Sequence, residues 1–315
     1  MRVTSLWVYP VKSLGGAPVE EAVVEPWGLA GDRRWGLVDP TGEKVTAREV
    51  HGLLALRAVA VGAETIRVTD RDGASILVDA PVGVDPVPVA HSRQGRATPA
   101  DDDVNEWLSR RVGAPVRLVW QQDPTMRTVD PEHGGMPGEH LSLADAGPLL
   151  LASESSLAQL NAWVAAGADQ PDVAGIDPGD LSAGADENQD ATLHGAARSL
   201  PLAMLRFRPN VVIDGGQPFG EDKWERVRVG DIHFRRSMVC DRCVMTTIDP
   251  VTLASGKEPI RTLARHRRWD GRTWFGIRLV PLGTGTIRVG DLVGDVGEGA
   301  GAPRATGRAT PPGRR

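Results

Sequence analysis

Six strand-like runs of four to six residues crowd into the first eighty positions, and that spacing most constrains what the chain can fold into. Val3–Val8, Ala22–Glu25, Trp35–Val38, Lys44–Ala47, Thr65–Thr69 and Ile76–Asp79 are each bounded by Gly, Pro or Asp clusters. Many short strands at close intervals specify a barrel or sandwich rather than a doubly wound sheet. Asp39-Pro40-Thr41-Gly42 supplies a hairpin turn between two of them. No glycine-rich dinucleotide or phosphate-loop fingerprint interrupts the pattern.

Helical periodicity enters later. A helix is expected from Asp103 to Val112, with Asp103 and Glu106 as a capping box and Val104, Trp107, Leu108 and Val112 on one face. Val116–Trp120 reads as a strand, and a polar loop follows to Ser142. Leu149–Ala152 then feeds a helix starting at Ser153, with Leu157, Leu160 and Val164 inward. Residues 165–199 are acidic, rich in Gly, Ala and Asp and without period, the composition of a disordered insert. Strands return at Asn210–Asp214, Arg226–Val229 and Ile232–Arg236, then a helix at Glu258–Arg267 and closing strands to Val293. Residues 295–315 read as a flexible tail.

A chain of 315 residues carries one large core or two ordinary ones. Its net charge of −5 argues against a nucleic-acid coat, which needs positive surface to release counterions. No apolar run approaches a membrane span, and the start alternates like a strand rather than a signal peptide. Two cysteines make no disulfide scaffold, so a reducing, cytoplasmic compartment is expected.

Those cysteines lie in the densest chemical constellation, Cys240-Asp241-Arg242-Cys243 followed by Thr246-Thr247. An adjacent guanidinium favours thiolate, the form that attacks or ligates metal. One such pair cannot complete a tetrahedral zinc site, and two cysteines exclude a four-cysteine iron–sulfur cluster. A structural pair, a redox dithiol and a single-thiolate site all remain open on chemistry alone. The seven scattered histidines are not expected to ligate. Three strand-end junctions add cations: Lys12-Ser13 followed by Gly15-Gly16, Arg33-Arg34, and Arg206-Phe207-Arg208. Converging, they would recognise a phosphate through bidentate arginine and close-packed backbone amides. Glu221-Asp222-Lys223-Trp224 reads as scaffold, with the Trp buried and the acids pairing or capping.

Taken in order, Tyr9-Pro10-Val11-Lys12-Ser13, Gly31-Asp32-Arg33-Arg34-Trp35, Val45-Thr46-Ala47-Arg48, Phe207-Arg208-Pro209-Asn210, Glu221-Asp222 with Trp224, and Arg242-Cys243 with Thr246-Thr247 resemble the MOSC-domain proteins that carry an N-terminal MOSC β-barrel. That group includes the amidoxime-reducing component, hydroxylaminopurine-detoxifying reductases and the C-terminal part of molybdenum-cofactor sulfurases. The resemblance spans about residues 1–294 apart from the insert. It implies a mainly β fold with some helix: an N-terminal β-barrel domain at 1–120 and a barrel-like MOSC domain with a few helices at 121–294. It also implies a molybdenum cofactor, a molybdopterin, whose metal is ligated by the position matching Cys243. Lys12, Ser13 and Arg33 match positions that hold the pterin and phosphate, and Arg208, Asn210, Asp241 and Arg242 match further cofactor contacts. Ser153 and Ser155 match more weakly; Asp241 stands where relatives commonly have a small residue. The implied activity is reduction of small N-hydroxylated compounds with electrons from a separate ferredoxin or flavoprotein donor. The implied alternative is a non-catalytic cofactor carrier or sulfur-transfer protein.

Overall fold

A computed structural model describes residues 1–91, 93–167 and 201–297. The expected insert at 165–199 and tail at 295–315 lie almost wholly outside the described residues.

The fold is mainly β, as the strand spacing required. One large sheet runs in spatial order Ala17–Val19, Val3–Val8, Val211–Ile213, Leu149–Ser153, Arg272–Pro281, Ile232–Asp241, Arg226–Val229, Val293–Asp295, with Arg268–Trp269 paired beside Arg272–Pro281. A second sheet orders Val87–Val89, Gly95–Pro99, Arg117–Trp120, Trp35–Val38 and Lys44–Val45. Two three-stranded sheets complete the set, one of them Arg57–Ala60, Thr65–Thr69 and Ser75–Asp79.

Two large apolar cores follow. One gathers Leu37, Leu53, Val68, Trp107, Leu108 and Leu118 from the N-terminal third. The other joins Leu6 and Val24 to Leu151, Phe234 and Ile277. The strands Val3–Val8 and Glu21–Glu25 therefore pack with the C-terminal half, whereas Val11 and Leu14 between them join the N-terminal core: Val3–Val8 pairs with Val211–Ile213, and Glu21–Glu25 pairs with Gly285–Arg288. A register shift between Val3 and Ser5 breaks the two-residue alternation, so Val3, Leu6 and Val8 are all buried.

Three helices matter for the site. Helix α1, Asp102–Val112, buries Val104, Trp107 and Leu108 and ends at left-handed Gly113. Its N-cap is Asp101, and the expected capping box does not form, because Asp103 Oδ1 accepts from the backbone of Val104. Helix α2, Glu154–Ala166, is capped by Ser153, whose Oγ accepts the Ser156 amide at 3.1 Å. It buries Ser156 and Leu160, whereas Leu157 and Val164 are half-buried. Helix α3, Ile260–His266, is shorter than expected because the chain reaches it through Pro259. Along α2, Asn161 holds the chain that returns at residue 202: Nδ2 donates to the Leu202 carbonyl and Oδ1 accepts the Leu202 amide. Among the described residues no helix is long and apolar enough to cross a membrane.

Two further expectations change. The strand expected to end at Arg236 continues to Asp241, and two register shifts let its ten residues follow Arg272–Pro281. In Glu221–Trp224 the buried residue is Glu221; Trp224 is half-buried. The acids do pair, with Glu221 accepting from Ser156 Oγ at 2.7 Å and Asp222 meeting Arg267.

Candidate functional site

Strand ends and turns from both halves line an open cleft of roughly 1010 Å3, its solvent-filled mouth included. Its charged lining is Lys12, Arg33, Lys44, Arg48, Arg206, Arg208, Arg242 and Arg278 against one carboxylate, Asp145. That concentration of cations in a chain of net charge −5 is the mark of a site for an anion.

The backbone is bent to make it. Seven described non-glycine residues adopt positive φ, and three of them, Ser13 (72°), Arg33 (48°) and Arg208 (53°), line this cleft. Left-handed backbone disfavours side chains with a Cβ, so such a cluster is retained where position outweighs the strain.

Arg33 and Arg208 share a platform. Each guanidinium carbon sits 4.4 Å from the centroid of the Tyr9 ring. Arg33 is fixed by Asp32 at 2.5 Å, by Asn210 Oδ1 at 3.0 Å and by the Arg208 carbonyl at 3.1 Å. Asn210 is itself buried and also holds the Trp7 carbonyl and the Leu150 amide, so it ties three chain segments together. Arg208 has no side-chain hydrogen bond or ion pair among the described residues, and its Nη2 is buried without a partner. Burial first, and then the charge of Arg33, push it down to about 10. A cation buried beside another cation is costly unless an anion compensates it.

Opposite, Lys12 Nζ meets Asp145 at 2.6 Å. Burial lowers Lys12 from its ordinary value, and Asp145 opposes that. Burial would raise Asp145, but Lys12, Arg48 and Arg127 together hold it well below the usual carboxylate range. Its side chain stays 62% exposed because it faces into the cleft. Arg127 donates to the carbonyls of Ser142, Ala144 and Asp145, which fixes this loop.

The two cysteines part company. Cys240, in the last stretch of the strand, is buried, and its Sγ accepts from Arg242 Nη1 at 2.9 Å. Arg242 also donates to the Phe207 carbonyl at 2.7 Å, while its Nε is buried without a partner among the described residues. Cys243 is exposed at the cleft. The backbone before it is held by the Arg242 amide on the Thr273 carbonyl, and its own carbonyl accepts from Thr246. Arg48 lies against the Cys243 sulfur, the largest influence holding that guanidinium above its ordinary value.

Of the residues expected at the site, Lys12, Ser13, Arg33, Arg208, Asn210, Arg242 and Cys243 line this one cleft. Three do not. Ser153 and Ser155 lie outside it, their hydroxyls used in the α2 cap and on the Gly215 carbonyl. Asp241 turns to the other side of its strand and forms an ion pair with Arg278. The expectation missed Arg48, Asp145 and Arg278. Arg48 stood in one of the ordered motifs, whereas Asp145 in a small-residue loop and Arg278 inside an apolar strand gave no local signal.

An orphaned guanidinium, buried arginine nitrogens without partners and an exposed thiol in one cationic cleft suit an anionic group with a metal beside it. A family model described as the MOSC N-terminal beta barrel domain matches residues 1–115, and one described as the MOSC domain matches 138–294. The chain is 29% identical over 313 residues to human mitochondrial amidoxime-reducing component 1, covering 92% of this chain and 82% of that protein. It is 29% identical over 302 residues to a rice molybdenum cofactor sulfurase, covering 89% of this chain but 32% of the sulfurase.

Proposed function

Because the chain belongs to the MOSC-domain proteins that carry an N-terminal MOSC β-barrel, we propose that its cleft holds a molybdenum cofactor and that it reduces small N-hydroxylated compounds. The observation that carries this is Arg208: an unpaired cation stacked on Tyr9 beside Arg33, in a cleft that ends at the exposed Cys243.

In this reading Arg208, Arg33, Lys12 and Ser13 hold the phosphate-bearing part of the pterin. Cys243 Sγ is the metal's protein ligand, and Arg48 balances the charge of that sulfur. When bound, the cofactor supplies a two-electron redox change. The N–O bond of a hydroxylamine or amidoxime breaks, an N–H bond forms, and the oxygen leaves as water. Two electrons come from a separate ferredoxin or flavoprotein donor, and two protons from solvent. The relatives named for amidoxime reduction support this choice over cofactor carriage, although an exposed Cys243 would also suit a transferred sulfur.

Molybdenum per chain decides the first step, measured on wild type and Cys243→Ser purified anaerobically from a cofactor-competent host. Near-stoichiometric metal in wild type and little in the variant is expected, with benzamidoxime reduced by the loaded protein. Equal metal in both removes Cys243 as ligand. No metal in either, from a host that loads a related enzyme, leaves the carrier or sulfur-transfer reading.

A further inference from the structure

A second cleft, of roughly 660 Å3, opens against the same Arg242–Cys243 segment. The two clefts share only those two lining residues. Within the strand that ends at Asp241 successive side chains point to opposite faces, and beyond Cys243 the chain turns into the 3-10 helix Val244–Thr247. Cys240 lines the first cleft and Asp241 the second, and beyond Cys243 the order is Val244 in the second and Met245 in the first. Cys243 therefore lines both spaces.

The second space has its own chemistry. Val244 and the buried Ile260 and Ala264, one turn apart on α3, give it an apolar floor. Arg268 and Arg272 come from a hairpin whose two-residue loop, Asp270-Gly271, has φ of 51° and 72°, as a tight primed turn requires. Asp241 is the one carboxylate here, and Arg278 already matches its charge. Arg272 makes no side-chain hydrogen bond or ion pair among the described residues, and its charge acts on Asp241 only at longer range than that of Arg278.

We infer that this second cleft receives the reducible compound and favours one carrying a carboxylate, its apolar body over Ile260 and Ala264, its anion on Arg272 and its N–O group toward Cys243. The inference rests on the function proposed above. It names a substrate class: anionic N-hydroxylated compounds.

The test uses the molybdenum-loaded full chain with a chemical reductant, comparing 4-carboxybenzamidoxime with benzamidoxime for wild type, Arg272→Gln and Arg272→Lys. Alongside, the non-reducible product 4-amidinobenzoate is titrated into each protein by calorimetry. In wild type the carboxylate compound should show a KM lower by about tenfold, the scale of one charge-assisted hydrogen bond. Arg272→Gln should bring the two compounds within about twofold through KM rather than kcat, and Arg272→Lys should keep part of the preference. Binding of 4-amidinobenzoate should weaken in parallel. No preference in wild type, or one that survives Arg272→Gln, overturns the inference. If no compound is reduced, the functional reading fails and the titration judges the cleft alone: binding lost in Arg272→Gln upholds anion recognition, and equal binding in both overturns it.

Discussion

Lys12 Nζ and Asp145 Oδ1 stand 2.6 Å apart in a cleft whose other charged side chains are all cationic. A ligand phosphate would compete with this carboxylate for the ammonium, and Asp145 opposes the lowering of Lys12 by burial. Asp145→Asn is expected to tighten pyrophosphate binding to cofactor-free protein by about tenfold at pH 7, and Lys12→Met to weaken it by about as much. The pH course carries the sign. Burial lowers Lys12 and Asp145 opposes that, so affinity should fall away at lower alkaline pH in Asp145→Asn than in wild type. Calorimetric titrations between pH 6 and 10 would show it.

Tyr9 acts through its ring. Burial pushes its phenol up to about 12, and the hydroxyl has no partner among the described residues. Tyr9→Phe should leave Tm within a few degrees of wild type, because removing an unsatisfied buried hydroxyl costs little. Tyr9→Leu removes the surface under Arg33 and Arg208, at about 0.5–2 kcal/mol for each guanidinium. Molybdenum content after loading should drop several-fold in Tyr9→Leu and hold in Tyr9→Phe.

Glu221 offers a pH signature remote from the cleft. Burial raises its pKa above the ordinary glutamate value, and the hydrogen bond from Ser156 opposes this. A carboxyl raised on folding binds its proton more tightly in the native state, so it costs stability as pH climbs through that raised value. Glu221→Gln keeps an acceptor for Ser156 and removes the charge. Its Tm relative to wild type should be unchanged near pH 4 and rise by a few degrees toward pH 7. A flat difference across that range would exclude a buried charge as the cause.

The cysteines should separate under substitution. Cys240→Ser changes a buried sulfur bonded to Arg242 and should cost about 1–2 kcal/mol in denaturant unfolding while keeping metal. A dithiol mechanism would instead lose turnover with either substitution.

Local signals carried the strands that are local objects. Val3–Val8, Trp35–Val38 and Thr65–Thr69 lie where alternation and flanking turns put them. Val87–Val89 and Gly95–Pro99 escaped, because Pro88, Gly95 and Pro99 read as breakers; the first of them is a sheet-edge strand, where proline is tolerated. At the site the same division holds. Lys12, Arg33 and Arg208 sit at strand ends, where a charge can be read as aimed at something. Arg278 lies mid-strand, and only the pairing of that strand with Ile232–Asp241 brings it to Asp241. Ser153 carried a true helix-start signal, but the cap it announces serves Ser156 and Glu221 rather than a ligand.

Asn161 bonds both backbone groups of Leu202, which ties the chain at 202 to the middle of α2. Neither Asn161 nor Leu202 lines the cleft, so this anchor and the chemistry at Cys243 can be altered one without the other.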